Sequence, residues 1–117
     1  MPANLTCGVV NSTVPEISVH KLHENLGKIR VIDVRRPDEF NNELGHIPGA
    51  ELVTLGPDLV QFLEKGDRGE EMVFVCRSGA RSEQATIESL KQGFKKTVNM
   101  VGGMIQWNEA KLTTVRT

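Results

Sequence analysis

A nearly continuous apolar run at residues 29–34, rich in β-branched side chains, constrains the fold of this chain more than any other feature. Such a run is typical of a parallel strand covered on both faces, because a strand with one wet face alternates apolar and polar residues. Residues 72–75 indicate a second buried strand, and residues 50–53 and 97–100 two more. The chain has 117 residues, the size of one ordinary domain. We therefore expect a single α/β domain with a mainly parallel sheet.

Helical patterns separate these strands. Ser18 is a good N-cap for the first helix, which Gly27 ends, and Pro37 and Pro57 suit the first positions of a brief helix and a longer one. A helix over residues 82–94 follows the strand at 72–75. The apolar positions that define the four longer patterns are Val19, Leu22 and Leu26; Leu59, Val60 and Leu63; Ile87, Leu90 and Phe94; and Met104, Trp107 and Leu112.

The loop between the strand at 72–75 and the next helix contains the candidate site residues, because it combines a thiol with two arginines and two serines. The loop residues are Cys76, Arg77, Ser78, Gly79, Ala80, Arg81 and Ser82. Cys76 would lie at the carboxyl end of a strand, facing the amino end of a helix whose unpaired N–H groups favour an anion. Two arginines in the same loop also favour the thiolate, which makes Cys76 a candidate nucleophile. The alternative is a small buried core residue. Ser82 is expected to cap the helix.

Composition narrows the function classes. The formal net charge of −1 and the lack of a basic stripe argue against nucleic acid or an acidic membrane as a partner. No CxxC pair and no metal-ligand spacing is present, so we expect neither a metal nor a cofactor. Residues 1–15 suggest a flexible arm that holds the only other cysteine, Cys7, and they lack the pattern of a signal peptide. A reducing cytoplasm is the expected location.

Five segments of the sequence together resemble a rhodanese domain. In chain order they are Val31-Ile32-Asp33-Val34-Arg35, Pro37-Asp38-Glu39-Phe40, Gly45-His46-Ile47-Pro48-Gly49-Ala50, the loop that begins at Cys76, and Gly102-Gly103 with Trp107. The resemblance extends from about residue 17 to residue 112, and it implies a three-layer α/β/α domain over residues 16–117 with about five strands. The length corresponds to the single-domain type of that family.

The resemblance implies sulfurtransferase chemistry, in which Cys76 takes a sulfane sulfur from a donor such as thiosulfate and hands it to an acceptor. Cyanide, a small thiol such as glutathione, or a thioredoxin would be the acceptor. Arg77 and Arg81 would hold the anionic donor, and the loop N–H groups would stabilise the persulfide. Gly79 would permit a special backbone conformation or a close approach, and Ser78 and Ser82 would donate hydrogen bonds. Ala80 completes the predicted substrate loop.

Other matched residues receive supporting roles. Asp33 is expected to fix loop backbone or to pair with an arginine, and Arg35 to pair with Asp38 or Glu39. His46 lies in a turn where an imidazole commonly satisfies backbone groups, so it is not proposed as a base. Trp107 is expected in the core.

Two competing functions remain. Phosphatases and arsenate reductases of the same fold have one residue more between cysteine and arginine than the four found between Cys76 and Arg81. Because phosphate needs a wider ring of N–H groups than a single sulfur atom, the shorter loop favours sulfur transfer. The second alternative is a persulfide carrier or a regulatory partner-binding module with little turnover.

Overall fold

The computed structural model describes residues 14–116, which contain a five-stranded parallel sheet. The strands are β1 (Glu16–Ile17), β2 (Arg30–Asp33), β3 (Glu51–Leu52), β4 (Met72–Val75) and β5 (Thr97–Met100). Their order across the sheet is β1-β5-β4-β2-β3, and every neighbouring pair is parallel. The fully buried strand β4 therefore occupies the centre, between β2 and β5.

Helices cover both faces of the sheet. They are α1 (Val19–Glu24), α2 (Pro37–Phe40), α3 (Pro57–Glu64), α4 (Ala80–Lys91) and α5 (Gly103–Glu109). One core cluster joins α1 and α5 to one face of the strands through Leu22, Val73 and Trp107. The other joins α3 and α4 to the opposite face through Leu63, Phe74 and Ala85. The expected three-layer α/β fold with about five strands is confirmed.

Helix α4 differs from its prediction in its bounds and its orientation. It begins at Ala80 and ends at Lys91, and Ile87 and Leu90 are 38% and 37% exposed. Its buried face consists of small residues, which are Ser82, Ala85, Thr86 and Ser89. Small side chains let a helix lie close to the sheet, and the hydroxyls are satisfied locally: Thr86 donates to Ser82 O, and Ser89 Oγ lies 2.6 Å from Thr97 Oγ1. The expectation was wrong for Ile87 and Leu90, whereas Phe94, which follows the end of the helix, is 2% exposed and packs in the core.

Smaller differences concern the ends of the chain. Helix α1 ends at Glu24, before Leu26, and α5 ends at Glu109, before Leu112, although both leucines pack against the core. Strand β1 was not predicted, because two residues are too few to show a period. The predicted arm, apart from residues 14 and 15, and Cys7 lie outside the described residues. Within residues 14–116 no helix is long and apolar enough to span a membrane.

Candidate active site

Cys76 follows the last residue of β4, at the carboxyl end of the central strand. The neighbouring strand β2 ends beside it, because Val34 donates its N–H to Val75 O at 2.9 Å. Chain segments that leave the carboxyl ends of parallel strands meet at one edge of the sheet, where such folds carry their sites. The central position of β4 thus places Cys76 where residues from β2 and β5 also converge.

The Cys76 sulfur is held by the start of helix α4. Gly79 donates its N–H to Sγ at 3.0 Å, Ser82 donates its N–H at 3.3 Å, and Ser82 Oγ also lies 3.3 Å from Sγ. Gly79 is the N-cap of α4 with φ of +110°, a conformation that glycine adopts without the strain of a Cβ. Ser82 is therefore not the cap predicted from the sequence; it lies in the first turn, with its hydroxyl directed at the site.

The loop rests on the amino end of α5. Met104 donates its N–H to Cys76 O at 2.8 Å, and Ile105 donates to Arg77 O at 3.0 Å. Gly103 makes this contact possible, since a Cβ there would collide with the Arg77 carbonyl and lie 2.6 Å from Cys76 O. The sequence pair Gly102-Gly103 thus does more than form a turn, because it allows α5 to fix the backbone that carries the thiol.

Arg81 forms a two-pronged ion pair with Glu39 of helix α2. Its Nη1 and Nη2 donate to Glu39 Oε1 and Oε2 at 2.7 and 2.9 Å, and the Arg36 N–H donates to Glu39 Oε1 at 3.1 Å. The hydrogen bonds from Arg81 lower the pKa of Glu39 to about 2. Glu39 in turn raises the pKa of Arg81, to which the charge of Cys76 makes a smaller contribution. Arg81 is consequently already paired with a carboxylate.

The remaining loop residues face solvent. Arg77, Ser78 and Ala80 are exposed, and neither the Arg77 nor the Ser78 side chain has a polar partner within residues 14–116. Arg77 is thus the loop cation that is available to an incoming anion. Cys76 itself is only 1% exposed, so a reacting group must enter the loop to reach the sulfur.

Asp33 and Arg35 form a buried ion pair at the end of β2. Both are 0% exposed, Arg35 Nη2 lies 2.9 Å from Asp33 Oδ2, and Asp33 Oδ1 also accepts the Arg35 N–H at 3.0 Å. The expectation that Asp33 fixes loop backbone or pairs with an arginine is confirmed, and Asp33 does both through Arg35. The predicted partners of Arg35 were wrong, because Asp38 pairs with Arg36 instead. Arg35 points inward and donates to Gly45 O.

His46 and Trp107 have structural positions, as expected. His46 Nδ1–H donates to Phe40 O at 2.9 Å, and its ring stacks on Phe40. Trp107 is fully buried and donates its indole N–H to Thr113 O. Within the described part of the chain, no group of three or more His, Cys, Asp or Glu side chains lies close enough to hold a metal ion.

One residue at the site escaped the sequence analysis. Asn99, on β5, places its amide Oδ1 2.5 Å from Ser82 Oγ and is only 4% exposed. The signal was present, because Asn99 is the polar residue nearest the carboxyl end of a strand. Buried polar side chains at that edge of a parallel sheet commonly belong to the site. The other missed link, from Glu39 to Arg81, joins residues 42 positions apart.

The chain is similar to known proteins over most of its length. The family model of the rhodanese-like domain matches residues 18–110. The "Putative sulfur carrier protein YrkF" of Bacillus subtilis is 35% identical over 99 residues, which cover 82% of this chain and 52% of that protein. This chain thus spans about half the length of YrkF.

Two further relatives are matched over most of their length. The "Putative sulfurtransferase YtwF" of Bacillus subtilis is 39% identical, and the match covers 80% of this chain and 90% of that protein. The "Thiosulfate sulfurtransferase GlpE" of Pseudoalteromonas translucida is 30% identical, with 80% and 89% covered. Among solved structures, the human single-domain sulfurtransferase TSTD1 has a TM-score of 0.72 at 28% identity, covering 82% of this chain and 96% of that one.

Proposed function

Since the chain belongs to the rhodanese-like family, we propose that it moves a sulfane sulfur from an anionic donor such as thiosulfate to cyanide or a thiol through a Cys76 persulfide. One observation carries the proposal: the buried Cys76 sulfur receives two backbone N–H groups from the start of α4. Preorganised donors of this kind favour a negative charge on sulfur in both the thiolate and the persulfide. Relatives named sulfurtransferase support the reaction class.

In the first half-reaction the Cys76 thiolate attacks the outer sulfur of thiosulfate. A bond forms between Sγ and that sulfur while the sulfur–sulfur bond of thiosulfate breaks, and sulfite leaves with the electron pair. In the second half-reaction cyanide attacks the terminal sulfur of the persulfide and leaves as thiocyanate, which regenerates the thiolate. A thiolate acceptor would leave as its own persulfide in the same way. Neither half-reaction requires an outside oxidant or a metal.

Charge and access both suit a small anionic donor. Arg77 is exposed and its side chain has no polar partner within the described residues, so its guanidinium is free to offset the repulsion between thiosulfate and a thiolate. Arg81 contributes less to binding the donor, because both of its terminal guanidinium nitrogens already bind Glu39. Because Cys76 is nearly fully buried, its sulfur is reached more easily by the single terminal sulfur atom of thiosulfate than by a phosphorus atom surrounded by oxygens. Phosphate ester hydrolysis is therefore the weaker alternative.

A persulfide carrier is the second candidate function. It is favoured by the printed description of YrkF as a putative sulfur carrier protein. A carrier would use the same Cys76 persulfide but pass it to a protein acceptor, with slow turnover of small molecules. Either role requires a free thiol, and we place the protein in a reducing compartment such as the cytoplasm for that reason.

Turnover with thiosulfate and cyanide tests the enzyme proposal. Thiocyanate formation by an enzyme should continue through many equivalents per protein, and Cys76→Ser should abolish it. Cys7→Ser is the matched control and should retain the rate. A single equivalent of thiocyanate would favour the carrier. No thiocyanate, or equal amounts from wild type and Cys76→Ser, would contradict sulfur transfer from thiosulfate to cyanide.

A further inference from the structure

A buried chain of three side chains begins at the thiol. Ser82 Oγ lies 3.3 Å from Cys76 Sγ, 3.2 Å from Gly79 O and 2.5 Å from Asn99 Oδ1. Cys76, Ser82 and Asn99 are 1%, 0% and 4% exposed, so water has little access to any of them. A hydroxyl has one proton and two lone pairs, and therefore it donates to only one of these three neighbours.

The thiol form of Cys76 fits the observed contacts. The carbonyl oxygen of an amide accepts only, so the short contact to Asn99 Oδ1 takes the Ser82 proton. A lone pair of Ser82 Oγ then faces Sγ, where it accepts the S–H proton of the thiol. All three groups are satisfied in this arrangement.

The thiolate form does not fit the same arrangement. Once Sγ has lost its proton, a Ser82 lone pair would face an anion in a water-poor site, which is unfavourable. The Ser82 proton has to turn toward Sγ, and a second lone pair would then meet Asn99 Oδ1. An asparagine side chain removes that conflict by a half-turn, because its amide group carries both an acceptor and a donor.

We propose that Asn99 is a positioning residue whose amide turns over when Cys76 loses its proton. In the thiol form Oδ1 accepts the Ser82 proton. In the thiolate and persulfide forms Nδ2–H donates to Ser82 Oγ, and the Ser82 hydroxyl donates to sulfur. The proposal rests on the proposed function only in taking Cys76 as the reacting group.

The charged groups around Cys76 do not hydrogen-bond to the Asn99 side chain within the described residues. They are the Arg81–Glu39 pair on α4 and α2, the Asp33–Arg35 pair at the end of β2, and Arg77 in the loop. The Asn99 backbone N–H donates to Pro15 O at 2.9 Å, and a side-chain substitution leaves that bond in place. A substitution at position 99 therefore leaves the other contacts of these charged groups in place.

The proposal is tested by measuring the rate at which iodoacetamide alkylates Cys76 as a function of pH, in a Cys7→Ser background. Asn99→Asp accepts but does not donate when ionised, so it holds the Ser82 proton away from sulfur and adds a negative charge. The midpoint of the rate–pH profile should rise by about one pH unit or more. The same substitution in a Ser82→Ala background measures the charge effect alone, and we expect a rise smaller by at least about half a unit. Equal rises in the two backgrounds would overturn the proposal.

Asn99→Leu is the uncharged second variant. It removes the N–H group that donates to Ser82 Oγ in the thiolate form. Hydrogen bonds that end on a charged group are stronger than neutral ones, so the substitution destabilises the thiolate form more than the thiol form. The midpoint should rise with Ser82 present and stay unchanged in the Ser82→Ala background. A midpoint unchanged with Ser82 present, or shifted equally in both backgrounds, would overturn the proposal. Because alkylation uses no sulfur donor, a failure here is distinguishable from a failure of sulfur transfer.

Discussion

At the scale of single residues, the pairing of Arg81 with Glu39 distinguishes the two arginines of the loop. Glu39 is mostly buried and holds both nitrogens of the guanidinium fork while it also accepts the Arg36 N–H. Arg81 therefore forms an ion pair that links α4 to α2. The two arginines of the loop, equivalent in the sequence, therefore differ in their pairing, because the Arg77 side chain has no acidic partner within residues 14–116.

The lowered pKa of Glu39 predicts how the contribution of the Arg81–Glu39 ion pair to stability depends on pH. The pKa falls from 4.5 to about 2 on folding, so the ionised carboxylate stabilises the fold fully above about pH 4.5. That contribution is lost progressively as the pH falls from 4.5 through 2. In urea unfolding, Glu39→Gln should be less stable than wild type at pH 7, and the gap should shrink by pH 3.

Glu64→Gln is the control for this series, because Glu64 is exposed and has no ion pair within the described residues. Its difference from wild type should stay near zero throughout. A Glu39→Gln gap that is constant between pH 7 and pH 3 would show that the ion pair does not stabilise the fold.

At the scale of elements, the contact between α5 and the Cys76 loop holds the backbone that carries the thiol. Gly103 has φ of +60°, and a Cβ there would collide with the Arg77 carbonyl. Gly103→Ala should therefore push the loop away from α5 and reduce sulfur transfer at least about tenfold, since a displacement of the reacting group is costly. Thiocyanate formation at saturating donor gives the measurement.

Gly49→Ala is the matched control for Gly103→Ala. Gly49 also has a positive φ, of +85°, but a Cβ there would meet no atom within 4 Å. Both substitutions should cost about 1–2 kcal/mol of stability from backbone strain, and only Gly103→Ala should lower the rate. Equal rates for the two variants would show that the close packing of α5 on the loop has no part in catalysis.

The elements also show what a sequence pattern can and cannot predict. The runs that form β2 and β4 were predictable, because a strand buried on both faces is marked by its own residues. The face of α4 that packs against the sheet was not predictable from the spacing of Ile87 and Leu90. Its buried face is made of Ala85 and hydroxyl residues that are satisfied only by the neighbouring turn and by β5, so apolar spacing selected the wrong face.

At the scale of the whole molecule, the buried Asp33–Arg35 pair links the central sheet to the segment that contains Gly45. Arg35 is fully buried, and Asp33 supplies its only negative partner within residues 14–116. Asp33→Asn would leave a buried charge without compensation, which typically costs about 3–5 kcal/mol. We expect a loss of that size in urea unfolding at pH 7.

Asp38→Asn is the control for the buried pair. It removes the partner of Arg36 in an exposed ion pair, where water and salt screen the charges, and it should leave stability unchanged. If the two variants lost the same stability, the Asp33–Arg35 pair would not be the anchor that its burial indicates.

The same contrast explains why the partner of Arg35 could not be predicted. Arg35 and Arg36 are adjacent, and only the folded chain determines that the first points into the protein and the second into solvent. Cys76 was predictable because its environment is local: a strand end, a glycine and a helix start within seven residues. Glu39 was not, because it reaches the loop from a distant part of the chain, and Asn99 was marked only by its place near the end of a strand.

The most direct test of the account is the intact mass of the protein before and after incubation with thiosulfate. A persulfide at Cys76 predicts a gain of one sulfur atom, which cyanide removes again and which Cys76→Ser does not show. Cys7→Ser should gain the same mass as wild type. No mass gain in wild type, or an equal gain in Cys76→Ser, would contradict sulfur transfer from thiosulfate to Cys76.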